Sequence, residues 1–148
     1  MKQPTPETSA VVTEKNYRNE MLSRLNSLII EGESFKVWLN DTSKQFRDVI
    51  LLLANKPSSG SLVNDVRVAS IDLANGEVSA ISGQVSNIQN SISRWQKISD
   101  LITTDPSLFV SKADFDSIST IGSLQDDILI VRGKINSNLS SVTNSLKY

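Results

Sequence analysis

Counted from Met21 in alternating steps of four and three, the chain is apolar at Met21, Leu25, Leu28, Phe35, Leu39, Phe46, Val49 and Leu53. Only Gly32 and Thr42 interrupt the count. This is the period of one helix face, and it predicts a first amphipathic helix over residues 15 to 55. A second stripe, Leu22, Ile29, Val37, Trp38, Ile50 and Leu52, runs beside it. A stripe that wide should bury against more than one neighbour. Gly32 and Asp41-Thr42 are poor helix interior residues, and a bend or break is expected there.

The same count predicts a second helix over residues 62 to 103. Its line runs Ile71, Ala74, Val78, Ile81, Val85, Ile88, Ile92, Trp95, Ser99 and Ile102. Ile71, Val78, Val85 and Ile92 take heptad position a; Ala74, Ile81, Ile88 and Trp95 take d. Upstream, Asn64 and Arg67 would fall on the seam, so a register shift is expected near residues 66 to 68. A third helix is predicted over residues 112 to 147, with Ile121, Leu124, Ile128, Val131, Ile135, Asn138, Val142 and Ser145 in line. Ile118, Leu139 and Leu146 lie close to that line, which fits a local drift of register.

Two stretches punctuate the pattern. Asn55-Lys56-Pro57-Ser58-Ser59-Gly60-Ser61 can reverse the chain into an antiparallel hairpin or kink two collinear helices, with Ser61 as a cap. Asp105-Pro106 ends the second helix, and Ser111 with Asp114 resembles a capping box that uses Asp for Glu. Leu108, Phe109 and Val110 between them are expected to tuck against a helix. Residues 1 to 14, with Pro4 and Pro6 among Thr, Ser and Glu, read as an N-terminal arm, either frayed or ordered on a partner.

β-branched residues at both a and d crowd a two-stranded interface and pack better in three- or four-stranded cores. The flanking e and g positions are Ser82, Gln84, Gln89 and Ser91, with Glu77 the one charge, so ion pairs do not select the partner. Such a seam needs only copies of itself. The expected fold is all-α with three long helices and heptad seams. It is either a homotrimeric coiled coil or an intramolecular hairpin or bundle, because periodicity does not separate the two. The expected oligomer seam is Ile71, Val78, Ile81, Val85, Ile88, Ile92, Trp95, Ile121, Leu124, Ile128, Val131, Ile135, Asn138 and Val142. Asn138 at a d position either fixes register in the core or slips to the surface.

Composition narrows the function. The formal net charge is -1 and no run of Lys or Arg occurs, so a nucleic-acid partner is not expected. The chain has neither Cys nor His, which removes thiolate metal sites, disulfides and the commonest general base. Asp126-Asp127 and Glu31/Glu33 are the close carboxylate pairs, and they read as solvated faces rather than metal clamps. Trp38 and Trp95 read as core residues. The sequons at Asn40 and Asn138 carry little weight without an export signal. No apolar run spans a membrane, and the first 20 residues hold no core of signal-peptide length. No enzyme activity, catalytic residue, metal or cofactor is expected. With 24 Ser and 12 Asn, the polar faces are small and uncharged, which suits a thin helical rod.

In that style, "VSAISGQVSNIQNSIS" at residues 78 to 93 and "VSKADFDSISTIGSLQDDI" at residues 110 to 128 resemble the helical fibres and needles of tailed bacteriophages. The resemblance covers residues 62 to 146 and transfers no site residue. It implies a virion structural protein of a tail, neck, baseplate or fibre. Such a protein assembles in the host cytoplasm with copies of itself and with other subunits, docked through its arm. The stretch at residues 135 to 138 is similar to the pattern in trimeric adhesin fibres where a d-position Asn holds an anion, but Leu139 stands where Thr is usual. The alternative reading is a helical-bundle adaptor or chaperone that receives a partner protein on an exposed apolar surface.

Overall fold

The computed structural model describes residues 15–121 and 124–148; the expected arm at residues 1 to 14 lies outside them. Among the described residues the chain is all-α. Its helices are α1 (Arg18–Ala54), α2 (Ser61–Thr104), α3 (Lys112–Ser119) and α4 (Gln125–Asn144), and a 3-10 turn (Ser145–Lys147) follows. Helix α1 runs unbroken through Gly32, Asp41 and Thr42, against the expected weak points. Packing overrides local propensity there, since Thr42 is 2% exposed in the middle of the buried stripe.

The expected third helix is two helices, which makes four among the described residues. The segment Ser119-Thr120-Ile121-Gly122-Ser123 joins β-branched residues, Gly and Ser, all poor helix interior residues. Helix α3 closes as the Thr120 amide donates to the Asp116 carbonyl at 3.0 Å and the Ile121 amide to the Ile118 carbonyl at 3.1 Å. The second of these is the tightened bond of a last turn.

Contacts group the described residues into two compact units, those within Met1–Glu31 and Ser91–Leu124 and those within Gly32–Asn90 and Gln125–Tyr148. In the second unit the turn after α1 reverses the chain, choosing the hairpin over the kink. Lys36 donates to Gln89 at 2.5 Å across the hairpin, and Arg67 donates to the Pro57 carbonyl at 2.5 Å beside the turn. Asn64 closes that turn from inside α2, accepting from the Ser59 amide at 3.1 Å and donating to its carbonyl at 2.9 Å.

Helix α4 then lies antiparallel to α2 in a single register. Arg67 reaches the Tyr148 carbonyl, Ser70 meets Ser145 at 2.5 Å, and Asn138 donates to Glu77 at 2.8 Å. It runs parallel to α1, where the Arg132 guanidinium covers the Trp38 ring at 5.1 Å and Lys56 donates to the Leu146 carbonyl. This is a three-helix bundle made from one chain.

Its core is the predicted periodicity. Phe35, Leu39, Phe46, Val49 and Leu53 of α1 are buried, with Ala74 and Ile81 of α2 and Ile128, Ile135 and Val142 of α4. Burying each of the larger apolar side chains stabilises the fold by about 1.5–3 kcal/mol. Leu39→Ala, at a fully buried site, should therefore lower stability by about 2–5 kcal/mol. Val37→Ala, on the exposed side of the same turn, should stay within about 0.5 kcal/mol of the parent. Urea unfolding of the two variants checks this, and equal losses would contradict the assignment of faces.

Candidate functional site: an apolar groove beside the α2–α3 loop

The first unit is built around an arginine. Helix α2 ends at Thr104 and leaves its last carbonyls without intrahelical donors. Arg18, in the first turn of α1, supplies a donor to one of them, Ile102, and reaches on into the loop. Its guanidinium donates to the carbonyls of Asp105 at 3.0 Å and Leu108 at 3.2 Å, and to that of Ile102. The Tyr17 amide donates to the Val110 carbonyl at 3.0 Å, and its ring stacks on Phe115 of α3 at 5.2 Å. One end of α1 thus holds the end of α2, the loop and α3 together.

The loop has its own determinants. Residues 105 to 108 form a β-turn, with Pro106 in its favoured second place and the Leu108 amide donating to the Asp105 carbonyl at 3.1 Å. The Asp105 carboxylate accepts from the Ser107 hydroxyl at 2.6 Å and the Ser107 amide at 3.1 Å. These two bonds, the hydroxyl foremost, hold the Asp105 carboxyl below the usual carboxylate range. Ser111 then caps α3, accepting from the Asp114 amide while Asp114 accepts from the Ser111 amide at 3.1 Å. The capping box read from the sequence is present, with Asp in the place of Glu.

This loop raises one wall of a groove of about 330 Å³. Met21, Ile102 and Val110 form a buried floor, and Leu101 and Phe109 stand at its edge, 56% and 45% exposed. Asp114 and Ser117 add polar atoms to the rim. An apolar floor with a carboxylate at its edge can take an apolar side chain and pair a neighbouring cation. Of the loop residues expected to tuck inward, Val110 does so, Leu108 is half-buried and Phe109 stays out.

The expected seam residues are distributed differently. Ile81, Ile92, Trp95, Ile128, Ile135 and Val142 are buried within the single chain. Ile71, Val78, Val85, Ile88, Leu124, Val131 and Asn138 are half-buried, and Ile121 is 40% exposed. Asn138 is neither a core polar residue nor an outward one, because it bridges to Glu77 of α2. Trp38 is half-buried, stacked at 6.2 Å on Phe35. Glu31 and Glu33 are half-buried, Asp126 and Asp127 exposed. Among the described residues no three Asp or Glu side chains gather as metal ligands do, and no helix is long and apolar enough to cross a membrane. Sequence reasoning did not single out Arg18; nothing in its spacing marks it, since its partners are backbone carbonyls more than 80 residues away.

Comparison with protein-family models, with curated proteins and with solved structures gives no match. The likeness to phage fibres thus rests on the style of the quoted residues alone.

The Asp105 bonds favour the folded state above the ordinary carboxylate pKa, and that contribution is lost as pH falls through the lowered value. Ser107→Ala removes the main donor. The Asp105 titration midpoint, followed by carboxyl NMR, should then rise toward the ordinary aspartate value; an unmoved midpoint would contradict this account of the turn.

Proposed function

We propose that the protein is a non-enzymatic helical-bundle adaptor that receives a partner protein in the groove beside the α2–α3 loop. One observation carries the reading: Leu101 and Phe109 stand exposed over a floor of Met21, Ile102 and Val110. Exposed apolar side chains beside a preformed apolar floor are the usual equipment for taking a partner's apolar anchors. Asp114 at the rim suits a partner segment that carries Lys or Arg next to those anchors. The partner is therefore a short amphipathic segment, apolar on one side with a basic residue at its border.

A homotrimeric rod in a virion, the other reading, needs the α2 and α4 seams to face neighbouring chains. The burial of Ile81, Ile92, Ile135 and Val142 inside one chain favours the adaptor instead.

A random peptide library displayed on phage and panned against the full chain tests the proposal. The enriched peptides should share apolar anchors and a basic neighbour and should perturb the NMR signals of Leu101 and Phe109. Leu101→Ser with Phe109→Ser, two exposed sites, should weaken their binding about tenfold or more while leaving the fold intact, a loss of about 1.4 kcal/mol. Peptides that bind the double variant as well as the parent would sink the groove as the binding site.

A further inference from the structure

The outward face of α4 carries a pattern that the groove reading does not use. Ile128, Ile135 and Val142 point into the bundle. On the opposite side, Asp126, Leu129, Ile130, Gly133 and Ser137 are exposed. Leu129 is 63% and Ile130 58% exposed, high values for large apolar side chains set next to each other. Gly133 follows one turn later, and a Cβ placed on it would meet no atom within 4 Å. The glycine is a notch in an otherwise continuous helix surface, with Leu129, Ile130, Lys134 and Ser137 around it.

Charge is ordered along the same face. Asp126 and Asp127 lie one turn before the apolar pair and Lys134 one turn after it. Among the described residues, none of the three is in an ion pair.

We propose that this face is an interface between two copies of the chain, paired antiparallel about a twofold axis that passes between Val131 and Arg132. A twofold axis exchanges the two ends of the face. Ile130 of each copy then fills the Gly133 notch of the other. The same register brings Lys134 of each copy within a turn of Asp126 and Asp127 of the other, so the acidic end meets the basic end twice.

This self-complementarity is what selects a second copy as the occupant. A different partner would leave the matching order of Asp, apolar pair, notch and Lys unexplained. The overlap, residues 125–138, is about 20 Å of helix. That is less than the surface of a standard stable interface, so the dimer forms reversibly at high protein concentration. The inference rests on the second unit alone and stands or falls apart from the groove.

Sedimentation equilibrium over a concentration series tests it, with the parent chain, the double variant Asp126→Lys/Asp127→Lys and the variant Lys134→Glu. The parent should move from monomer to dimer as concentration rises. Each variant alone places like charges at both crossings and should weaken dimerisation about tenfold or more. An equimolar mixture of the two restores opposite charges at both crossings and should dimerise like the parent. Gly133→Leu fills the notch and also raises helix propensity, so it should abolish dimerisation with no loss of helix signal in circular dichroism. A parent that stays monomeric at every concentration would overturn the proposal. So would dimers indifferent to all three changes, or a mixture no better than its components.

Discussion

The burial of the α1 stripe is the constraint on which the rest depends. From Met21 to Leu53 every position of the three-and-four count is buried, Gly32 and Thr42 included. A lone helix of this composition would leave that stripe in water and be marginal on its own. In the first unit Met21 meets α2 and the loop after it; in the second, α2 and α4 flank the stripe from Phe35 to Leu53. Of the α2 seam, Ala74, Ile81, Ile92 and Trp95 are buried inside the chain, while Ile71, Val78, Val85 and Ile88 are half-buried. Small polar residues, mostly serine and asparagine, fill much of the other faces of α2.

Helix content, the breaks after α1 and α2 and the core face of α1 were legible because each follows from local period and local chemistry. The stripe of α1, the Asp105-Pro106 turn and the Ser111–Asp114 cap all lie within a few residues of the signals that specify them. What the pattern left open was which surfaces meet. An α2 seam packs by the same physics against a copy of itself or against α1 and α4, and no residue in it records which. The split of the last helix was hidden for a related reason. The line from Ile121 to Val142 continues on paper through Gly122, although the residues around it favour a break over another helical turn.

The groove shows where sequence reasoning stops. Leu108, Phe109 and Val110 read as three similar apolar loop residues, yet one becomes floor and another edge. The loop backbone is held from α1 and the residue before it: Arg18 bonds the carbonyls of Asp105 and Leu108, and the Tyr17 amide that of Val110. A guanidinium that bonds to backbone leaves no trace in the identity of its partners. Asn138 is the converse case: as a seam residue it suggested either a register lock or a slip to the surface, and in the fold it reaches across to Glu77.

The central claim is that the seams close within one chain, and the Ser70–Ser145 contact between α2 and α4 tests it most directly. Their hydroxyl oxygens are 2.5 Å apart, and the chain has no cysteine of its own. With Ser70→Cys and Ser145→Cys, mild oxidation of a dilute solution should give a disulfide inside single chains. Non-reducing mass spectrometry would then show the monomer mass, lighter by two hydrogens. Covalent dimers or trimers as the main product would mean that α4 pairs with the α2 of another chain, and would contradict the account.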